Sequence, residues 1–179
     1  MSLQTTYKEE IMPALQKELG IKNLMATPKI EKITVNVGIG SILRRNSEKS
    51  TERFEETLAK ITGQKPVVKK AKKSISNFKL REGMPVGVTV TLRGKRMYDF
   101  LERLIFVTIP RIKDFRGFAR KGDGHGNLSI GIKEQQAFPE VGEVDTKNLH
   151  GIQITVTTSC NNDEEMFALF DKFGFPFKK

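Results

Sequence analysis

The chain has 179 residues, of which 37% are hydrophobic, so it is long enough for one domain with a core of its own. Lys and Arg total 31 against 21 acidic residues, and the net charge of +10 favours a polyanionic partner, most often nucleic acid and less often an anionic membrane surface. One cysteine, Cys160, excludes an internal disulfide and a cysteine metal site and fits a reducing, cytoplasmic setting, and no apolar run reaches the roughly 18 residues of a transmembrane helix.

The first predicted element is a helix over residues 6–19. Thr6 and Glu9 have the spacing of a capping box, apolar residues follow at helical intervals, and Gly20 ends the run. Pro13 lies inside this segment and predicts a kink or a shifted start. The segment lacks the unbroken apolar core of a signal peptide.

Two segments with alternating apolar residues predict strands that each have one small, polar face. The first covers residues 33–39 and the second covers residues 86–92. Their polar faces carry Thr34, Asn36, Gly38, Gly87, Thr89 and Thr91.

The region between these strands predicts one helix, one short strand and one irregular segment. The helix carries Phe54, is capped by Ser47 or Ser50, and ends at Gly63. A strand begins at residues 66–68. Residues 69–85 have no clean period, so we expect a partly mobile loop or a ribbon there.

The second half of the chain predicts two more helices and two more strands. A strongly amphipathic helix covers residues 97–105 and stops at Pro110. Residues 110–127 are basic and glycine-rich, residues 128–132 form a strand, and residues 135–150 are irregular. The last strand covers residues 152–156, and Asn161 or Asn162 caps a final helix with Asp163 and two glutamates in its first turn.

This order of elements predicts an α+β fold. We expect a mostly antiparallel sheet with helices packed on one face, long basic loops, and a single domain over residues 1–179.

The strongest functional feature is a block of positive charge over residues 65–82. It contains seven lysine and arginine residues against one acid, Glu82, for a net charge of +6. Clustered lysines suit phosphate contact, and an interleaved aromatic residue can pack on a base or a ribose. A solvated lysine loop is the plain alternative. The candidate residues of this block are Lys72, Lys73, Ser74, Ile75, Ser76, Asn77, Phe78, Lys79 and Arg81.

The polar strand faces are a second candidate RNA surface. Small hydroxyl and amide side chains allow close approach of an RNA backbone and can bond phosphate or 2′-hydroxyl groups. Threonine is also a common solvent-facing strand residue, so ordinary sheet surface is the alternative. The glycine-rich segment over residues 115–127 is equally compatible with a partner-binding loop and with a merely flexible one.

Signals for an enzyme are weak, and we expect no catalytic residue, metal or cofactor. The sequence Gly38-Ile39-Gly40 follows a strand but lacks a third glycine and a phosphate-loop lysine. Two isolated histidines with one cysteine give no metal set, so His125 is read as a loop side chain. Cys160 is read as a small, partly buried residue. An RNA-modifying or RNA-cleaving enzyme and a peripheral membrane protein remain the rival classes.

The sequence closely resembles the bacterial large-subunit ribosomal protein five family over nearly its whole length. Long ordered strings carry this resemblance: residues 28–40 (PKIEKITVNVGIG), 61–66 (ITGQKP), 69–85, 90–94 (VTLRG), 109–117 (IPRIKDFRG), 131–135 (GIKEQ) and 173–177 (FGFPF).

The resemblance implies a non-enzymatic ribosomal protein with an RNA-recognition-like sheet. It implies binding to 5S rRNA in the central protuberance, beside 23S rRNA and other ribosomal proteins. It also implies contact with P-site tRNA through residues 72–82, and an intersubunit bridge to small-subunit ribosomal protein thirteen between Arg111 and Val144. Asn36, Gln64 and Thr89 fall on positions that contact 5S rRNA, and Thr34 and Thr91 share their strand faces.

Overall fold

The computed structural model describes residues 2–46, 50–142 and 149–178. Its α-helices, in chain order, are α1 (Leu3–Thr6), α2 (Met12–Glu18), α3 (Gly40–Asn46), α4 (Glu52–Thr62), α5 (Gly94–Arg103) and α6 (Asp163–Lys172). Its strands are β1 (Ile30–Gly38), β2 (Val67–Lys70), β3 (Pro85–Leu92), β4 (Leu128–Ile132) and β5 (Ile152–Thr158).

The five strands form one sheet in the order β2-β3-β1-β5-β4. Strands β2 and β3 are antiparallel, with Val67 opposite Thr89 and an irregularity between Lys69 and Lys70. The predicted α+β fold, an antiparallel sheet with helices packed on it, is confirmed. Its likeness to an RNA-recognition sheet stays a prediction.

The chain divides into two compact units. The first comprises Met1–Thr34, Leu92–Ile130 and Ile154–Lys179, and the second comprises Val35–Thr91 and Gly131–Gln153. The single domain over residues 1–179 therefore stays a prediction.

The first unit has an aromatic core. Tyr7 stacks near Tyr98 and Phe173, and its hydroxyl donates to the Pro28 carbonyl at 2.8 Å. Burial raises the pKa of Tyr7 to about 12, so this hydroxyl stays protonated and able to donate even in strongly alkaline solution. A second aromatic group joins helix α6 to the C-terminal segment through Phe167, Phe170, Phe175 and Phe177.

The second unit is built on the apolar face of its strand segments. Val35 and Val37 of β1 and Val88 of β3 are fully buried. Helix α4 contributes Phe54, Leu58 and Ile61, as its helical spacing predicts, and these residues are also buried. The predicted end of α4 at Gly63 is confirmed, because Gly63 has a φ of 65° and donates to the Ala59 carbonyl.

Several predicted helix boundaries are wrong. The N-cap of the first helix is Ser2 and not Thr6, because the helical run starts three residues earlier and the Ser2 hydroxyl accepts the Thr5 N–H. Thr51 occupies the N-cap position of α4, while Ser50 accepts the Glu52 N–H; Ser47 lies outside the described residues. Asn162 occupies the predicted N-cap position of α6, but its side chain makes no capping hydrogen bond.

Both helical runs that carry an internal proline contain a π turn just before it. Tyr7–Ile11 precedes Pro13, and Leu104–Thr108 precedes Pro110. A proline ring clashes with the carbonyl four residues earlier, and the wider π turn relieves that clash. Pro110 therefore does not end the run as predicted: it lies within a 3-10 turn, Ile109–Arg111, that continues it.

Candidate nucleic-acid interface

The centre of the candidate interface is a side-chain pair on neighbouring strands. The Ile39 N–H donates to the Val86 carbonyl at 3.0 Å, and in antiparallel register this brings Asn36 opposite Thr89. The Thr89 hydroxyl donates to Asn36 Oδ1 at 2.9 Å, and both residues are half-buried. Because the bond engages the amide oxygen, the N–H2 group of Asn36 is left to act as a donor.

Gly87 makes room for this pair. It is buried, and a Cβ atom at this position would lie 3.2 Å from the Val37 carbonyl oxygen and 3.5 Å from Asn36 Oδ1. A side chain would therefore press on the backbone of β1 and on the Asn36 amide. The sequence indicates only that Gly87 lies on the polar face; its role as a neighbour of Asn36 depends on the register.

Gln64, just after the end of α4, is hydrogen-bonded to strand β3. Its Nε2 donates to the Thr91 carbonyl at 3.3 Å, and the Thr62 hydroxyl donates to the Gln64 carbonyl at 3.2 Å. The second unit thus brings together Asn36, Gln64, Thr89 and Thr91. Thr34 belongs to the first unit, where it is half-buried in β1.

The segment between β2 and β3 is a hydrogen-bonded ribbon. We call residues 69–84 the lysine ribbon. Ala71 donates to the Met84 carbonyl at 2.8 Å, and Ile75 and Leu80 exchange backbone bonds at 2.9 and 3.0 Å. The tip is a 3-10 turn, Ser76–Phe78, followed by Lys79 in a left-handed conformation with a φ of 49°. Of the two predicted forms, a loop or a ribbon, the structure has the ribbon.

The charged side chains of residues 65–82, which include the lysine ribbon, are all exposed to solvent. The exposed cations are Lys65, Lys69, Lys70, Lys72, Lys73, Lys79 and Arg81. Phe78 at the tip is 63% exposed and Ile75 is 45% exposed. An exposed aromatic ring among cations suits stacking on a nucleobase beside phosphate contacts. The ribbon therefore combines the two interactions that single-stranded or looped RNA offers.

Arg44 is a neighbour of the ribbon that the sequence pattern does not reveal. It lies on α3, a helix that the pattern does not predict, and its Nε donates to the Gly40 carbonyl at 3.0 Å. Its Nη1 donates to the carbonyl of Phe78, 34 residues further along the chain. No local pattern indicates a bond over that separation.

The glycine-rich segment is held by two carboxylates in the first unit. Asp163 at the start of α6 accepts the N–H groups of Gly124 and Gly126, each at 3.1 Å. Asp123 accepts from His125 and Asn127, and the Asn127 side-chain bond is the largest cause of its pKa being lowered to about 2. These bonds favour an anchored segment over a merely flexible one. His125 is exposed in it, as predicted.

Features of the rival functions are sparse in the described part of the chain. No helix there is long and apolar enough to cross a membrane. Within the same residues, no three His, Cys, Asp or Glu side chains are grouped so that they could hold a metal ion. Cys160, which we predicted to be partly buried, is buried, and burial raises the pKa of its thiol, which disfavours the nucleophilic thiolate.

Comparison with known proteins gives full-length matches. Residues 23–81 match the family described as ribosomal protein L5, and residues 85–177 match the model of the C-terminus of the same ribosomal family. The chain is 49% identical over 177 residues to large ribosomal subunit protein uL5 of Cupriavidus metallidurans, which covers 98% of this chain and 97% of that protein.

Two further relatives agree. Large ribosomal subunit protein uL5c of Emiliania huxleyi is 50% identical over 173 residues, covering 96% of this chain and 94% of the relative. Protein uL5 of Mycoplasma capricolum is 51% identical over 178 residues, covering 99% of this chain and 98% of the relative. The predicted ribosomal location and the absence of an enzymatic role follow from this kinship. The chain belongs to the ribosomal protein L5 family and is a structural constituent of the large ribosomal subunit.

Proposed function

We propose that the polar sheet face of the second unit binds 5S rRNA and helps to hold it in the central protuberance, next to 23S rRNA. The observation that carries this proposal is the bond from Thr89 to Asn36 Oδ1. It fixes an amide whose remaining N–H2 group can donate to phosphate, 2′-hydroxyl or base acceptors of an RNA. A side chain that is ordered before binding loses less conformational entropy when the RNA arrives.

Gln64 and Thr91 extend the same surface. The Thr91 side chain is exposed, and the bond from Gln64 Nε2 to the Thr91 carbonyl holds the glutamine beside β3. The exposed cations of residues 65–82 add a positive field that favours a folded RNA along this strand edge. The face supplies shape and hydrogen bonds, whereas the cations supply attraction that does not depend on sequence.

The test is a gel-shift titration with 5S rRNA and an unrelated structured RNA. We expect Asn36→Ala and Thr89→Ala each to weaken 5S binding by about tenfold, because each removes or releases a polar contact to a charged partner. Thr57→Ala is the matched control, since Thr57 also donates one internal bond, to the Arg53 carbonyl, but lies on α4. Equal losses in the control and the sheet variants would contradict the proposal.

We further propose that the lysine ribbon contacts P-site tRNA. The six exposed cations of the ribbon and the exposed ring of Phe78 support this second RNA contact. The double variant Lys72→Ala, Lys73→Ala should lower tRNA affinity of ribosomes while leaving 5S binding largely intact. If this variant abolishes 5S binding and the sheet variants do nothing, the assignment of the two surfaces is wrong.

The third proposed contact is the intersubunit bridge to small-subunit ribosomal protein thirteen, from residues between 111 and 144. Arg111 and Lys113 are exposed at the start of this range, and residues 143–144 lie outside the described part. Charge reversal at both cations should slow joining of the two subunits, which sucrose-gradient sedimentation measures. An unchanged rate of subunit joining would show that Arg111 and Lys113 do not take part in the bridge.

A further inference from the structure

Helix α3 and the lysine ribbon are connected through one side chain. The Arg44 guanidinium donates from Nε to the Gly40 carbonyl on its own helix and from Nη1 to the Phe78 carbonyl at the ribbon tip. Gly40 in turn packs on β3, because a Cβ there would lie 3.2 Å from the Val86 side chain. The tip is therefore tied to a helix whose first turn is fixed on the sheet.

Few other bonds hold the tip; just below it, the Glu82 N–H donates to the Ser74 hydroxyl at 2.9 Å. Beyond the Ile75–Leu80 bridge, its described backbone bonds reduce to Lys79 N–H donating to the Ser76 carbonyl at 2.8 Å. Lys79 adopts a left-handed backbone conformation, which is unfavourable for a residue that has a Cβ atom. The side chains from Ser74 to Lys79 are exposed, and Leu80 is only half-buried, so the tip has no core of its own. A charged donor on the Phe78 carbonyl is thus a substantial part of what orders this turn.

We propose that Arg44 is a positioning residue, which holds the ribbon tip and the exposed Phe78 ring in the orientation that meets RNA. This inference rests on the proposed contact of the ribbon with tRNA. A tip that is ordered in advance loses less conformational entropy on binding, so the bond raises affinity without touching the RNA. The alternative role for Arg44 is a direct phosphate contact.

The substitution Arg44→Lys separates the two roles. Lysine keeps the positive charge, but its single ammonium group cannot bond the Gly40 and Phe78 carbonyls from two rigidly separated nitrogens. A positioning role predicts that Arg44→Lys and Arg44→Ala are similarly defective. A phosphate contact predicts that Arg44→Lys retains most of the function.

The first measurement is amide hydrogen exchange on the purified full chain. We expect both variants to speed exchange at Lys79 and Leu80 by about tenfold, the effect of losing one charge-assisted bond. The Ala71 amide, bonded to the Met84 carbonyl at the base of the ribbon, is the internal control and should not change. Unchanged exchange at the tip in Arg44→Ala overturns the proposal.

The second measurement places a hydroxyl-radical source at the tip in ribosomes that carry P-site tRNA. The substitution Asn77→Cys gives an exposed attachment site for an iron chelate, because the native Cys160 is buried. We expect focused tRNA cleavage with Arg44 present and cleavage that is several-fold weaker and more diffuse in both Arg44 variants.

The outcomes separate this inference from the function on which it rests. Normal cleavage together with fast tip exchange in Arg44→Lys would show that the positive charge matters and the tip order does not, which overturns the positioning role. Equal cleavage in all three backgrounds would overturn it as well. Absence of tRNA cleavage even with Arg44 present would instead refute the tRNA contact, and the exchange measurement would still decide whether Arg44 orders the tip.

Discussion

Asn36 has its amide oxygen engaged by Thr89, so the N–H2 group is the part of this residue available to an RNA. Alternation in residues 33–39 and 86–92 predicts that both residues lie on a polar face. It does not predict that they are partners, because register depends on backbone bonds between segments about fifty residues apart. The same holds for Gly87, whose lack of a side chain matters only because Asn36 lies beside it.

Gly38 offers a test of close approach at this surface. In the register that joins Asn36 to Thr89, Gly38 lies opposite Gly87, and a Cβ at Gly38 would meet nothing within 4 Å. We therefore expect Gly38→Ala to leave the free energy of unfolding unchanged or slightly raised, since alanine suits a strand better than glycine. We expect its affinity for 5S rRNA to fall by about tenfold, because a methyl group separates the RNA from the sheet.

The matched control for this variant is Gly131→Ala. Gly131 is also an exposed strand glycine at which a Cβ would meet nothing within 4 Å, but it lies on β4. Filter-binding titrations of both variants should show a loss for Gly38→Ala alone. Full affinity in Gly38→Ala would mean that RNA does not approach β1 closely at this point.

Asp123 gives a prediction about pH. Bonds from the Asn127 side chain, then from the Asn127 and His125 N–H groups, lower its pKa to about 2 from an ordinary value of 3.8. The ionised Asp123 carboxylate therefore stabilises the folded chain at pH values above the ordinary pKa, and this stabilisation is lost as the pH falls through about 2. Carboxyl NMR titration should give a midpoint near 2 in the native chain and a higher one in Asn127→Ala; a native midpoint near 4 would contradict these bonds.

At the scale of elements, helix α6 and the glycine-rich segment form one anchored structure. The sequence predicts both the acidic first turn of α6 and the irregular segment, but it leaves the segment equally compatible with a flexible loop. The pairing is not predictable, because Asp163 bonds Gly124 and Gly126 across nearly forty residues. Gly122 also approaches Asp163 so closely that a Cβ there would lie 2.4 Å from its carboxylate.

This anchor predicts a clear difference between two acids in the same helical turn. We expect Asp163→Ala to lower the free energy of unfolding by about 1–3 kcal/mol, because it leaves two backbone N–H groups without their carboxylate partner. Glu164→Ala, at an exposed neighbour, should change it by less than about 0.5 kcal/mol. Urea unfolding of the two variants measures this, and equal changes would show that the bonds contribute nothing.

The proline-containing helices show how far local rules reach. Pro13 predicts a disturbance of the first helix, and the disturbance is a π turn that ends two residues before it. The same arrangement before Pro110 turns the expected helix stop into a tight continuation. The sequence does not predict helix α3, because its seven residues carry too short an apolar pattern. The bond from Arg44 on this helix to Phe78 in the ribbon is likewise not indicated by any local pattern.

At the scale of the whole molecule, composition already indicates an RNA partner. The net charge of +10 and the +6 block over residues 65–82 predict attraction to phosphate, and kinship with ribosomal proteins agrees with that indication. The fold class and all five strands are also predictable, since each strand has its own alternating pattern or apolar run. Which RNA meets which surface depends on register and tip geometry, and composition carries neither.

The most direct test of the account is the affinity of the purified chain for 5S rRNA and for a random RNA duplex of equal length, at one fixed salt concentration. Attraction by charge alone treats the two RNAs alike, whereas an ordered amide and hydroxyl face distinguishes a folded RNA from a regular duplex. We predict that 5S rRNA binds at least about tenfold more tightly, a difference of about 1.4 kcal/mol. Equal affinity for the two RNAs would contradict the account.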